Sequence, residues 1–182
     1  MLVFFLSFIL VLSGVFINLK HRASKQLSSK DHSLLWFRIA VPMALISSLF
    51  FYYSKQGAIE IPASIQGLGL LLYIFGLCLR WMAVYTLGQL FTVDLNIAKQ
   101  HQLQSSGVFK HIRHPSYSGL LLYYIGLGVV QANWLSLLVL ICLPLSAVLY
   151  RIPLEEKMLN NRFGEAYKTY QKNTYKLLPY VY

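Results

Sequence analysis

The chain has 182 residues, of which 57% are apolar and only 12% charged, and its mean hydropathy is +0.54. Soluble domains carry about a quarter charged residues, so this composition excludes an ordinary soluble globule and points to a membrane protein. The formal charge of +10 comes from 16 Lys+Arg against 6 Asp+Glu; set in so much aliphatic sequence, it fits contact with lipid headgroups and calls for no nucleic-acid partner.

Residues 2–19 form a nearly unbroken apolar run, long enough to span a bilayer at roughly 1.5 Å per residue. No basic n-region precedes it and no small-residue cleavage site precedes Lys20, so a retained first span is expected rather than a cleaved signal. A basic loop follows over 20–33, then a second span over 34–53 with Arg38 near its start and Pro42 as a kink point. After a short loop, residues 63–87 read as a third span. Its Gly67, Gly69 and Gly76 suit close helix packing in lipid, and Arg80 either snorkels to the interface or pairs inside. Gly67-Leu68-Gly69 lies inside an apolar helix with no strand before it, so no nucleotide-binding loop is expected there. Cys78 and Cys142 sit in apolar runs as buried, inert thiols without metal-ligand spacing, and no metal is expected.

Residues 88–107 make the longest polar connector, and a polar island, 107–119, closes it: Gly-Val-Phe-Lys-His-Ile-Arg-His-Pro-Ser-Tyr-Ser-Gly. Polar chemistry crowded between spans is expensive, so function is the default reading. Pro115 suits the first position of a fourth helix reaching about residue 131, with His114 as its flanking cap. Asn133 turns the chain into a fifth apolar segment, 134–150, so the last two spans form a tight antiparallel hairpin. From Arg151 onward the chain is polar, with Leu159, Phe163, Tyr167 and Tyr170 at helical spacing, a packing stripe on an amphipathic helix. The fold class expected is therefore all-α, a multi-pass transmembrane protein of about five membrane helices plus a C-terminal amphipathic helix. A two-span N-terminal region (1–62) precedes a core (63–182). Five crossings leave Lys55 as the one Lys or Arg on the face opposite the polar connector, so the positive-inside rule places the connector in the cytoplasm and the N-terminus outside.

If the hairpin closes, Arg113, His114 and Tyr117 face Arg151, Glu155 and Glu156, while Lys110 and His111 read as interfacial groups. Such a site suits a zwitterion: a helix start for a carboxylate, a glutamate for an ammonium and an aromatic face for an onium centre. Leu79-Arg80, Gly88, Phe91, Gly107, Arg113-His114-Pro115-Ser116-Tyr117, Gly119, Arg151, Glu155-Glu156, Leu159, Phe163-Gly164, Tyr167, Tyr170 and Leu178-Pro179 follow in order. In these residues the chain resembles the isoprenylcysteine carboxyl methyltransferase family over a little more than half its length. The resemblance implies an integral-membrane methyltransferase that uses S-adenosylmethionine without a Rossmann domain, at the bilayer, on a lipophilic or lipidated acceptor. It places cofactor contacts on His101, Leu103, Gln104, Phe109 (a tyrosine in many members), His114, Pro115, Ser116, Tyr117 and Glu155. Arg151 falls on the substrate side, and Arg151, Glu155 and Arg113 make the expected catalytic group; Asn96 aligns with a family glutamine in a connector about two residues short. A methyl sulfonium is already activated, so a carboxylate acceptor held by Arg151 needs no general base, whereas an amine acceptor would need His114 or Glu156 to take a proton. Phospholipid amine or small-thiol methylation on the same scaffold, or a nicotinamide-dependent membrane reductase, are the alternatives. Pro153 falls between Arg151 and Glu155 and is expected to kink or restart the helix there.

Overall fold

The computed structural model describes residues 1–20, 32–88 and 103–178. Six α-helices are found among them: α1 (Leu2–Lys20), α2 (His32–Ser54), α3 (Ala63–Leu87), α4 (Pro115–Val130), α5 (Trp134–Phe163) and α6 (Glu165–Lys172), with a 3-10 turn at Gly107–Lys110. No strand occurs among the described residues, where backbone pairing between segments is limited to isolated bridges. By length and composition α2, α3 and α5 can cross a membrane, and Leu2–Ile17 and α4 are shorter apolar helices. With Pro42 inside it, α2 stays a single helix.

The tightest seam joins α3 and α4. Gly69 and Gly76 on one helix and Gly119 and Gly126 on the other recur every seven residues, so antiparallel backbones meet without side chains between them. A Cβ on Gly126 would lie 2.4 Å from the Tyr73 backbone nitrogen, and one on Gly119 would lie 2.6 Å from that of Arg80. Gly67, expected in the same seam, faces open space. Since α3 runs from 63 to 87 and α4 starts at 115, this seam brings the end of α3 beside the first turn of α4. There the Arg80 Nη1 donates to the Ser116 carbonyl at 3.1 Å and to its Oγ at 3.2 Å, which decides for pairing over snorkelling.

α4 and α5 turn through Gln131–Asn133 into the expected antiparallel hairpin. Asn133 caps α5 by accepting from the Ser136 amide at 3.0 Å and donates to the Phe51 and Gln56 carbonyls, tying the α4–α5 turn to the α2–α3 loop. α2 packs along α5, where the Ser136 Oγ donates to the Ser48 carbonyl at 2.8 Å. α1 joins this core through Val3, Leu6 and Leu10 and is pinned by the Tyr73 hydroxyl, which donates to the Leu6 carbonyl at 2.9 Å.

Two expectations change. α5 does not stop at residue 150 or restart at Pro153; it continues through Pro144 and Pro153 to Phe163. Pro153, unlike the buried Pro144, sits on the outer side of the helix. Leu149 and Pro153 are both exposed, so the hydrogen bond that proline removes lies on the outward side, while Ala147, Val148, Arg151 and Ile152 hold the opposite face in the interior. Gly164, at φ 55, ends the helix instead, in a backbone region that side chains strain to reach. The stripe read as one helix is thus divided, with Leu159 and Phe163 on α5 and Tyr167 and Tyr170 on α6. Cys78 and Cys142 are not buried either but lie on the outer surface of their helices, the surface an apolar solvent covers.

Candidate active site

Thirty residues of helix reach roughly 45 Å, longer than a hydrocarbon core of about 30 Å, and polar residues from 151 onward fill the last turns of α5. Those turns carry Arg151, Glu155 and Glu156 past the first turn of α4. Three polar side chains meet there in a chain. The Arg151 Nε donates to the Tyr117 hydroxyl at 2.8 Å, and that hydroxyl donates to Glu155 Oε2, also at 2.8 Å. Arg151 is only 4% exposed, and its Nη1 lies 3.5 Å from the Ser33 hydroxyl at the start of α2. Because α5 is unbroken, Arg151 and Glu155 stand one turn apart on one face, and a single phenol bridges them.

His114 occupies the cap position of α4, but its side chain makes no capping bond. It turns inward at 4% exposure and stacks on Tyr117, with ring centres 5.7 Å apart and planes at 25°. Its Nδ1 lies 4.0 Å from Glu155 and its Nε2 3.5 Å from Glu156 Oε1. The two glutamates differ in surroundings: Glu156 is 12% exposed and receives the Arg113 Nε at 2.9 Å, whereas Glu155 is 32% exposed. Two buried side-chain atoms near this pair have no hydrogen-bond partner: Asn160 Oδ1, one turn beyond Glu156, and the Tyr167 hydroxyl on α6. Orphaned polar atoms cost free energy unless a polar ligand or water meets them, so these two mark a polar recess where α5 and α6 meet beside His114.

The structure brings together Arg113, His114, Tyr117, Arg151 and Glu155. Pro115 is buried as the first residue of α4, and Ser116 is the partner of Arg80. Phe109 is buried in the 3-10 turn, and its carbonyl accepts from the Tyr170 hydroxyl at 2.7 Å. Burial pushes the Tyr170 phenol up to about 12 against the opposing pull of the Arg113 cation, so it remains a donor. Leu103 and Gln104 stand farther along the connector, where Gln104 donates to the Ser106 hydroxyl at 2.8 Å. His101, Asn96 and Phe91 lie outside the described residues. Lys110 and His111 are exposed. Ser33 escaped the sequence reading, and Tyr167 entered it as a packing residue and in the run that carries the resemblance, with no role at the site. A lone serine at a helix start has no spacing relation to residue 151, and Tyr167 read as part of an apolar stripe.

Comparison with known proteins gives this geometry a context. The model of the isoprenylcysteine carboxyl methyltransferase (ICMT) family matches residues 68–161, about half the chain. The chain belongs to the isoprenylcysteine carboxyl methyltransferase family. It is 34% identical over 167 residues to protein-S-isoprenylcysteine O-methyltransferase B of Arabidopsis thaliana, covering 88% of this chain and 82% of that protein. A rice relative (Oryza sativa subsp. indica), a probable protein-S-isoprenylcysteine O-methyltransferase, is 35% identical over 115 residues, 62% of this chain and 60% of the relative. The solved structure of the eukaryotic intramembrane Ras methyltransferase ICMT superposes with a TM-score of 0.61 at 26% identity, covering 86% of this chain and 55% of that one. The chain thus spans little more than half the length of several ICMT family relatives it matches. As in that family, the architecture is helical, multi-pass and embedded in a membrane.

Proposed function

We propose that this protein transfers a methyl group from S-adenosylmethionine to the carboxylate of a prenylcysteine or a closely similar lipophilic acceptor. One observation carries the reading: a buried arginine and a partly accessible glutamate, joined through one tyrosine hydroxyl at 2.8 Å on each side. The reaction needs a cation beside the acceptor and an anion beside the donor, and the two must be held in fixed relation.

The residues fit such a donor. Glu155 keeps part of its carboxylate accessible for an ammonium, the Tyr117 face suits an onium, and the Tyr167 hydroxyl stands unpartnered in the recess. When bound, S-adenosylmethionine supplies a methyl group on a positively charged sulfur. Ester formation from a carboxylate moves no proton, so the protein's tasks are binding, alignment and exclusion of water. Alignment alone is worth up to about 7–11 kcal/mol. Arg151 holds the acceptor carboxylate from the α2–α5 side, where an apolar tail entering from the bilayer would lie. Glu155 holds the donor amine, and Tyr117 fixes the two against each other.

A phospholipid amine would need a base. Glu156 is already engaged by Arg113 at 2.9 Å and stands 3.5 Å from His114, an arrangement that favours the carboxylate acceptor. Nothing in the site favours the nicotinamide-dependent reductase. The cytoplasm-facing orientation, with the N-terminus outside, belongs to the same proposal and rests on the asymmetry of Lys and Arg. The reading is tested by incubating membranes containing the protein with methyl-labelled S-adenosylmethionine and, in turn, a free prenylcysteine, a phosphatidylethanolamine and an alkyl thiol. Label on the prenylcysteine that mild base releases as a volatile product supports it; base-stable label on the amine or thiol transfers the assignment to those acceptors.

A further inference from the structure

Arg113 is grouped with the reacting residues by its place in the polar island, yet its contacts are those of a tie. Nε donates to Glu156 Oε1 at 2.9 Å, and Nη1 donates to the Gln171 carbonyl at 3.0 Å, to the Thr174 carbonyl and to the Thr174 hydroxyl at 3.3 Å. Around it the backbone continues the stitching. The Arg113 amide donates to the Tyr175 carbonyl at 2.7 Å, the His114 amide to the Lys176 carbonyl at 3.0 Å, and the Tyr175 amide to the His111 carbonyl at 3.0 Å. The Ser118 hydroxyl reaches the Leu177 carbonyl and the Tyr170 hydroxyl the Phe109 carbonyl. A segment of α6 and the turns after it, residues 170–177, is therefore bound edge-on to the start of α4. All of it lies beyond residues 68–161, the part the family model matches.

We propose that Arg113 is a positioning residue. It ties the C-terminal segment to the first turn of α4, and through Glu156 and α6 it fixes His114 and Tyr167 at the donor recess. A planar guanidinium suits this task because it meets a carboxylate and two carbonyls in fixed directions at once, which an ammonium on a flexible stem does not. The effect on the donor rests on the methyltransferase reading; the tie itself does not.

The test uses the full-length protein in lipid particles with an epitope at the C-terminus, comparing wild type, Arg113→Lys, Arg113→Ala and Tyr175→Pro. The last variant removes the Tyr175 amide donor from the tail without touching any membrane helix. Limited trypsin reads the tie through release of the epitope after Lys172 or Lys176. Release should accelerate about tenfold or more in Arg113→Ala and Tyr175→Pro, and less in Arg113→Lys, while the helical content of the particles is unchanged. Kinetics read the consequence: KM for S-adenosylmethionine should rise about tenfold or more, with kcat at saturating donor within about threefold of wild type. Unchanged epitope release overturns the tie. A fall in kcat at constant KM makes Arg113 a group acting on the reacting atoms and overturns the positioning role. If wild type transfers no methyl group, the functional reading fails, and the trypsin comparison still decides the tie.

Discussion

At the residue scale, the Tyr117 hydroxyl carries more than its ring does. It accepts from one charged group and donates to another of opposite sign, both at 2.8 Å, so it holds Arg151 and Glu155 at a set separation. Hydrogen bonds to charged groups are worth about 1.5–3 kcal/mol each, and loss of fixed aim should appear in the chemical step. Tyr117→Phe keeps the ring that stacks on His114 and packs beside Phe37. It is expected to lower kcat by about 10–100-fold while KM for S-adenosylmethionine stays within about threefold, measured by steady-state kinetics. Arg151→Ala and Glu155→Ala should each cost about 100-fold or more in turnover, since each leaves its partners around an uncompensated charge. Unchanged turnover in either variant would remove that residue from the mechanism. The sequence disclosed which residues are chemical, because an arginine, a histidine and two glutamates are conspicuous in so apolar a chain. It did not disclose that Arg151 and Glu155 share a phenol, because the phenol comes from another helix and the proline between them read as a break.

At the scale of elements, the α3–α4 seam sets the site's frame, because it places Arg80 against Ser116 and so fixes where α4 begins. Close approach requires the absent Cβ atoms. Gly126→Ala would put one 2.4 Å from the Tyr73 backbone, and overpacking of this kind costs about 1–3 kcal/mol, more than the gain of up to about 1 kcal/mol in helix propensity. Gly67→Ala meets nothing within 4 Å and keeps only the gain. The apparent Tm in detergent should therefore fall for the first variant and hold or rise for the second; a rise in both would show that the seam is not tight. Long apolar runs made the helices legible from the sequence, and the starts at residues 63 and 115 were marked by Pro62 before one and Pro115 at the head of the other. The length of α5 was not legible. A proline breaks a helix only where the lost bond cannot be tolerated, and which side of α5 faces outward is a tertiary fact.

On the scale of the whole molecule, every polar side chain discussed as functional lies at one end of the bundle, and the α2–α3 loop meets the α4–α5 turn at the other. That polarity is what a membrane enzyme needs if a water-soluble donor arrives from one compartment and a lipid-borne acceptor arrives sideways. The proposed orientation, which rests on the distribution of Lys and Arg, puts the polar end in the cytoplasm. A cysteine placed at Lys55 should then react with an impermeant thiol reagent added outside intact cells, and one at Lys110 only after permeabilisation, both in a background lacking Cys78 and Cys142; the reverse pattern would invert the topology. In that orientation the charge of +10 that first suggested headgroup contact would gather on one basic face. The central claim, carboxyl methylation at the Arg151–Tyr117–Glu155 chain, is met most directly by counting base-released volatile label on a free prenylcysteine after incubation with methyl-labelled S-adenosylmethionine. The account predicts abundant base-labile label for the wild-type protein and near-background counts for Glu155→Ala, whereas base-stable label, or equal counts from both, would contradict it.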